Sequence, residues 1–401
     1  MVQNLRREFE EIFFSNVSTT KGLEEVAKNI GISRNSLRRF LGKLTDNTQL
    51  RPSTLNLIAI RLGYKDYRDF CDCQGQKKSN LDFNLLDLFY GTLKGKDAPV
   101  KEPHFQAANY YFAEKIIADP QNLKEFLKRY SDNQAVLEFV LAWHPAYEKV
   151  GHQHYRDALA TLAKVSSKAH LKVFALSFLY FGKFMSGDLD LEESKKMMTQ
   201  IEKHVQRMRA EEGSFHAFPE ARCMIAKCIH HNIVNGNNRP ATLTAALQRE
   251  ITLAHIPELT LADRIIYSAY VADILITLGD YENADLCLGK YLSDRNLLAF
   301  EAEFPDFRAH TFLYRLNHAK TLYHLERKDE AMEHFEKIPG DLKNIRVHSF
   351  DSSKYFELKY LLFAKQLYPE KKEISRRVDM LVDQMNFTYL NQHPCLQFSL
   401  P

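Results

Sequence analysis

Apolar residues recur with the period of an α-helix from Phe105 to the C-terminus, and this pattern most limits what the chain can fold into. It breaks only at short polar or glycine-containing segments, among them Gly187-Asp188, Gly279-Asp280 and Arg327-Lys328, spaced roughly 30 to 50 residues apart. Almost no stretch alternates apolar and polar residues as a strand does. Glycine, at 15 of 401 residues, makes up about 4% of the chain, against about 7% on average. The sequence therefore predicts an all-α fold and disfavours a sheet-rich nucleotide enzyme.

Length and charge divide the chain into a small basic head and a large, near-neutral body. A chain of 401 residues exceeds the usual size of one domain. Residues 1–78 contain 14 Lys and Arg against 9 Asp and Glu, a net charge of +5, whereas the remainder has 40 against 42, a net charge of −2. We predict a head over 1–70, a connector with one short helix over 71–104, and a helical body over 105–401. Such asymmetry favours a nucleic-acid-binding head.

The sequence predicts a cytoplasmic protein. Its most apolar stretch, Val173–Met185, is shorter than the roughly 20 residues of a membrane-spanning helix. The charged N-terminus lacks the apolar run of a signal peptide. The six cysteines are too sparse for a disulfide scaffold, which indicates reduced thiols.

Residues 23–42 have the pattern of two short helices joined by a tight turn. Apolar positions suited to the contact between the helices are Val26, Ile30, Ile32, Leu37 and Phe40. Ala27 falls where only a small side chain fits, Gly31 where a positive φ is needed, and Ser33 where it can cap the second helix. The spacing predicts a helix-turn-helix motif.

The outer face of the second helix is basic. Arg matches guanine edges and Asn matches adenine, so we assign base recognition to Arg34, Asn35 and Arg38. The residues assigned to phosphates are Arg39, Lys43, Lys21, Lys28, Arg51 and the hydroxyl or N–H of Ser33, and Ser36 lies at the edge of the face. The alternative is a solvated basic face in a protein-binding domain.

The head resembles the lambda-repressor-like (XRE-type) helix-turn-helix domain over about residues 5–70. Beyond the motif, the run from Arg51-Pro52 through Thr54-Leu55 to Leu62-Gly63 is similar to the family's fourth helix. The loop 44–50 is longer than is usual in the family. The resemblance implies binding to double-stranded DNA, with a homodimer reading two half-sites.

Small residues recur at a spacing of twelve in the body, as expected where two antiparallel helices approach closely. The pairs are Ala146 and Ala158, Ala272 and Ala284, Ala319 and Ala331, and, more loosely, Gly182 and Ser194. Residues 271–292, with Gly279-Asp280-Tyr281 at the turn, resemble the tetratricopeptide repeat. The repeat's Trp is absent, so the body resembles a divergent tetratricopeptide-like solenoid; an irregular helical bundle is the alternative.

The repeat resemblance implies a concave effector-binding face. On it Asp273 and Lys320 face inward, with Tyr323 and His324 beside Lys320; each is alternatively a solvated or satisfied polar residue. Helix-turn-helix domains fused to tetratricopeptide-like bodies form a known architecture of bacterial regulators, some of which bind small signalling peptides. The C-terminal helices over residues 349–384 are one candidate dimer surface.

The sequence as a whole predicts a transcriptional regulator and not an enzyme, with no cofactor or metal site. Its partners are double-stranded DNA, a second copy of the chain, and a peptide or protein effector. The alternatives are a scaffold whose head does not read DNA and an enzyme whose site is built in the body from residues far apart in the sequence.

Overall fold

Every regular element among the described residues of the computed structural model is a helix, which confirms the all-α prediction. The described residues are 2–17, 19–44, 50–62, 64–68, 70–71, 81–91, 103–212, 216–235, 244–252, 259–289, 294–304, 308–338 and 352–392. The chain forms two compact units, Met1–Asp87 and Leu88–Pro401. Their boundary falls inside the segment predicted as a connector.

The first unit surrounds its own apolar core. Its helices are α1 (Val2–Val17), α2 (Thr20–Ile30), α3 (Arg34–Phe40) and α4 (Pro52–Arg61), and α5 (Phe83–Gly91) spans the boundary. Helix α2 contacts α1, α3 and α4. Phe9 and Phe40 meet edge-to-face with ring centroids 5.4 Å apart. The Arg6 Nε donates to the Phe40 carbonyl at 2.5 Å, where a cation offsets the negative end of the α3 dipole.

The second unit contains the longer helices. They are α6 (Pro103–Ala118), α7 (Pro120–Tyr130), α8 (Gln134–Leu137, continued by a π-helix over Glu138–Ala142), α9 (Gln153–Val165), α10 (Ala169–Met185), α11 (Leu191–Glu212), α12 (Ala217–Val234), α13 (Ala245–Ile251), α14 (Leu261–Thr277), α15 (Tyr281–Leu288), α16 (Asp294–Glu303), α17 (Arg308–His324), α18 (Lys328–Glu336), α19 (Ser353–Leu367), α20 (Lys372–Met385) and α21 (Thr388–Gln392).

These helices stack in pairs. Helices α10, α12, α14 and α17 contact one another in chain order. Helix α11 packs on α10 and α12, α15 packs on α14 and α17, and α18 packs on α17. One row of helices is therefore formed by α10, α12, α14 and α17. Their hairpin partners α11, α15 and α18 pack beside this row.

Three hairpin turns share one backbone geometry. The turns at Gly187, Gly279 and Glu326 each have a positive φ, of 73°, 80° and 64°. At each turn the following N–H bonds back to the end of the preceding helix, as Asp280 does to the Leu275 carbonyl at 2.8 Å. The helix breaks that the sequence predicts at these positions are confirmed.

The small residues at a spacing of twelve are buried at close approaches. Ala272, Ala284, Ala319 and Ala331 have no exposed surface. A side chain at Gly182 would collide with the Val150 carbonyl. Close packing of these elements therefore depends on residues without bulk.

The C-terminal helices pack against the segment between α8 and α9. A side chain at Gly151 would collide with the Met385 carbonyl, and the Asn386 Nδ2 donates to the Gly151 carbonyl at 2.8 Å. The Tyr355 ring of α19 lies 4.8 Å from the Tyr147 ring. The apolar side of α19 is therefore buried within its own chain and is not available to a dimer. Residues 349–351 of the predicted dimer surface lie outside the described residues.

Candidate functional site

The turn between α2 and α3 is fixed by backbone geometry. Gly31 has φ +81° and leaves open space where a Cβ would stand, so its glycine is required by conformation and not by crowding. The Gly31 and Ile32 N–H groups bond to the Lys28 and Ala27 carbonyls at 3.1 and 3.0 Å. The predicted positive φ at Gly31 is confirmed.

Ser33 starts α3. Its Oγ accepts the Ser36 N–H at 3.0 Å, which confirms the predicted N-cap. The two hydroxyls are also hydrogen-bonded at 2.9 Å. The cap sets the direction in which the first turn of α3 presents Arg34 and Asn35.

The two faces of α3 differ as the sequence predicts. The buried residues around the turn are Val26, Ala27, Ile30, Leu37 and Phe40, with Ile32 partly buried against them. On the opposite face, Arg34 and Asn35 are exposed, and Ser36, Arg38 and Arg39 are half-buried. The apolar face anchors the helix, and its polar face remains accessible.

The basic side chains differ in their contacts. Arg34 pairs with Glu24 of α2 at 3.2 Å, with 42% and 64% of the two side chains exposed. Such a surface pair contributes little, so Arg34 can exchange it for another acceptor. Among the residues that the structure describes, the Arg38 guanidinium has no hydrogen-bond or ion-pair partner.

The other predicted phosphate contacts surround α3. Lys21, Lys28, Lys43 and Arg51 are all exposed. The Lys43 ammonium donates to the Val17 carbonyl at 2.5 Å, so it holds α1 near the end of α3. Residues 45–49 of the long loop lie outside the described residues.

A polar cleft of about 350 Å³ brings several predicted residues together. Ser33, Ser36, Arg39 and Arg51 line this α3 cleft. The cleft also includes Ser53 and Thr54, in the first turn of α4, which sequence reasoning missed. Their signal was Pro52, which marks the first turn of a helix.

Asp273, predicted on the effector face, is a buried member of an ion pair. It is 4% exposed. Its Oδ2 lies 2.9 Å from the Lys359 Nζ and accepts the Tyr355 hydroxyl at 2.6 Å. Both partners belong to α19, so this carboxylate holds the C-terminal helix against α14.

Lys320 and His324 line one cavity. Lys320 is 5% exposed. Burial lowers the Lys320 pKa to about 7, the Asp273 charge opposes this shift, and the Lys359 charge adds to it. Burial also lowers the His324 pKa. The His324 ring stacks on Tyr281 at 3.9 Å between centroids.

Tyr323 does not line this cavity but contacts residues that do, and its ring meets the His324 ring edge-to-face at 5.5 Å. Its ring meets Phe363 edge-to-face at 5.6 Å. The Lys328 ammonium lies 5.7 Å from the centre of the same ring. Of the four predicted effector residues, Lys320 and His324 line the cavity, Asp273 forms an adjacent ion pair, and Tyr323 contacts His324 without lining the cavity.

The cavity contains residues that the sequence analysis missed. Thr277, Lys359 and Gln366 line it together with Lys320. Two of them lie on α19. The packing of α19 against α14 is a long-range contact, which local periodicity does not predict. A lysine inside the apolar run of α19 was the one available signal.

Neither a metal cluster nor a membrane-spanning helix occurs among the described residues. No group of three or more His, Cys, Asp or Glu there is arranged to hold a metal ion. No helix in those ranges combines the length and apolarity needed to cross a bilayer. Cys223 and Cys287 are buried, and burial raises the pKa of each thiol to about 12.

Comparisons with known proteins do not identify a family. No protein-family model, curated protein or solved structure matches the chain.

Proposed function

We propose that the protein is a sequence-specific DNA-binding regulator, with α2 and α3 acting as a helix-turn-helix motif. The observation that carries the proposal is the two-faced α3, which is anchored by Leu37 and Phe40 and presents Arg34, Asn35 and Arg38 outward. Arg and Asn are the side chains that read guanine and adenine edges in the major groove. N-terminal residues of a recognition helix usually reach the bases.

The phosphate contacts in this proposal come from the surroundings of α3. The α3 cleft combines the cations of Arg39 and Arg51 with the hydroxyls of Ser33, Ser53 and Thr54. Lys21, Lys28 and Lys43 add exposed charge. Phosphate contacts fix the orientation of the head, and the three outward residues of α3 supply specificity.

The proposed regulator works as a homodimer and responds to an effector. One small head contacts few base pairs, so specific affinity requires two half-sites. The stacked helices of the second unit resemble tetratricopeptide-like hairpins, and we assign them to dimerisation and to effector binding. No step in this function requires catalysis.

The test is selection from a random double-stranded DNA library, with sequencing, at two salt concentrations. We expect the wild-type chain to enrich a two-fold-symmetric motif and Arg34→Glu/Arg38→Glu to lose it. The control is Arg61→Glu/Arg68→Glu, which makes the same charge change at exposed residues near and beyond the far end of α4. The control should retain the motif and show a similar salt dependence.

A second candidate function is protein binding by the head, and the Arg34–Glu24 pair favours it. Arg34 already binds a carboxylate in this structure, and the carboxylate of an acidic protein partner could take the place of Glu24. In that case the head binds protein and the chain is a scaffold. Absence of an enriched motif, with weak binding unchanged by Arg34→Glu/Arg38→Glu, would decide for the scaffold.

A further inference from the structure

The centre of the second unit holds more buried positive than negative charge. Lys320 of α17 and Lys359 of α19 are 5% and 2% exposed. Asp273 lies between α14 and α19, 2.9 Å from the Lys359 Nζ. The Asp273 charge also favours protonated Lys320, so two ammonium groups share one carboxylate. A buried charge that is only partly compensated is costly.

Lys359 is bound on several sides. Its Nζ donates to the Thr277 hydroxyl at 3.0 Å and pairs with Asp273. The same ammonium lies 5.2 Å from the centre of the Tyr355 ring. These contacts account for the burial of Lys359.

Lys320 differs from Lys359. Within the described part of the chain, its Nζ has no hydrogen-bond or ion-pair partner. Its side chain borders a partly open cavity of about 60 Å³, which Lys359 and Thr277 also line. The ammonium is therefore available to an acceptor that enters the cavity.

The walls of the cavity define the size and character of that acceptor. Ile276, Leu362 and Phe363 form its apolar side. The space of about 60 Å³ in this partly open cavity has room for a small ligand. The ligand therefore combines an anionic head with a short apolar tail.

We propose that this cavity binds a small organic monocarboxylate. Its oxygens accept N–H bonds from Lys320 and Lys359, and its alkyl chain packs on Ile276, Leu362 and Phe363. A single negative charge matches the single uncompensated ammonium, whereas a phosphate dianion would place excess charge beside Asp273. The binding itself is independent of DNA, and only the ligand's role as the effector rests on the proposed function.

Proton linkage supports the assignment. The Lys320 pKa is about 7, so the amine is partly deprotonated at neutral pH in the empty cavity. The groups around it are Asp273 of α14, Tyr281 of α15, His324 of α17 and Lys359 of α19. A bound carboxylate raises the Lys320 pKa, so binding at pH 7.5 takes up a proton. Affinity should be roughly 100-fold lower at pH 9 than at pH 6, because only protonated Lys320 binds.

The experiment is calorimetric titration of the full chain with acetate, propanoate and propanamide, at constant ionic strength, in two buffers of different ionisation enthalpy. We expect propanoate to bind about fourfold more tightly than acetate, as one more buried methylene predicts. Propanamide, which is neutral, should bind at least tenfold more weakly. Uptake of up to one proton should accompany propanoate.

The variant is Lys320→Met, which removes the ammonium and keeps the apolar stem. It should lose propanoate binding, whereas Lys164→Met, at an exposed lysine of α9, should retain it. Equal binding of propanamide, or unchanged propanoate binding by Lys320→Met, would each overturn the proposal. If Lys320→Met does not fold, wild-type binding without proton uptake overturns it equally.

DNA binding with and without propanoate separates the two proposals. Loss of DNA binding in both conditions with propanoate affinity intact would refute the regulator alone. DNA binding without any propanoate affinity would refute the carboxylate site alone.

Discussion

The two units of this protein use charged side chains in opposite ways. In the first unit the basic residues of α3 lie at the surface, and the Arg34–Glu24 pair is largely exposed. In the second unit the Asp273–Lys359 pair is buried between α14 and α19. Water screens the first pair and is excluded from the second, so similar ion pairs differ greatly in energetic consequence. Exposed charge is available to a partner, whereas buried charge fixes the packing of helices.

The largest expected effect is loss of the buried carboxylate charge. Asp273→Asn preserves shape but leaves Lys359 without a counter-ion, which should cost about 3–5 kcal/mol of unfolding free energy. Urea unfolding followed by the fluorescence of Trp143, the one tryptophan and a residue of the second unit, measures this cost. A cost below about 1 kcal/mol would show that the buried pair behaves like a surface pair.

The next largest effect is a pH dependence from Lys320. In the unfolded chain this lysine stays protonated to about pH 10, whereas in the folded protein it releases its proton near pH 7. Between these values the unfolded state binds more protons, so the stability contributed by this group rises with pH. Lys320→Met, which lacks this group, should be more stable than wild type at pH 7. Its advantage in unfolding free energy should shrink by about 2 kcal/mol from pH 7 to pH 9, because the wild type gains stability.

Urea unfolding at the two pH values, in buffers without carboxylates, tests this dependence. Lys164→Met provides the baseline, because an exposed lysine keeps its charge throughout. A constant difference between Lys320→Met and wild type would contradict the prediction.

A smaller effect should be the same in both units, because it depends on local backbone geometry. Gly31 and Gly279 have φ values of +81° and +80° and open space at the Cβ position. Replacing either with Ala should cost about 1 kcal/mol. Glu326→Gly, at a similar turn with φ 64°, should instead stabilise by a few tenths of a kcal/mol or more. Hydrogen exchange of α2 and α3 and Trp143 fluorescence report the two units separately.

The smallest stability effect is expected at the surface pair. Glu24→Gln should change the stability of α2 and α3 by less than about 0.5 kcal/mol. It also releases Arg34 from its carboxylate partner, so DNA affinity should rise or remain unchanged. Amide exchange and a DNA titration measure the two quantities, and a substantial loss of either would assign Glu24 a structural role.

Local features of the fold were predictable from the sequence because neighbouring residues determine them. The Ser33 cap, the Gly31 turn and the apolar face of α3 depend on contacts within about ten residues. The hairpin breaks at Gly187 and Gly279 are local for the same reason. Periodicity and turn chemistry carry this information directly.

The site in the second unit was only partly predictable. The repeat resemblance selected Asp273, Lys320 and His324, and also Tyr323, which contacts His324 but does not line the cavity. It omitted Lys359, whose partner Asp273 is 86 positions earlier in the chain. Contacts over such separations leave no periodic signal in one sequence.

The sequence by itself determined the helices, their caps, the turns between them and the basic outer face of α3. The tertiary structure alone decided that α19 packs against α14 and that Asp273 pairs with Lys359. It also decided that the Lys320 ammonium, which has no partner among the described residues, borders a cavity. The physical reason is distance along the chain. Helix formation follows from hydrogen bonds four residues apart, whereas the burial of a charge depends on which distant helix covers it.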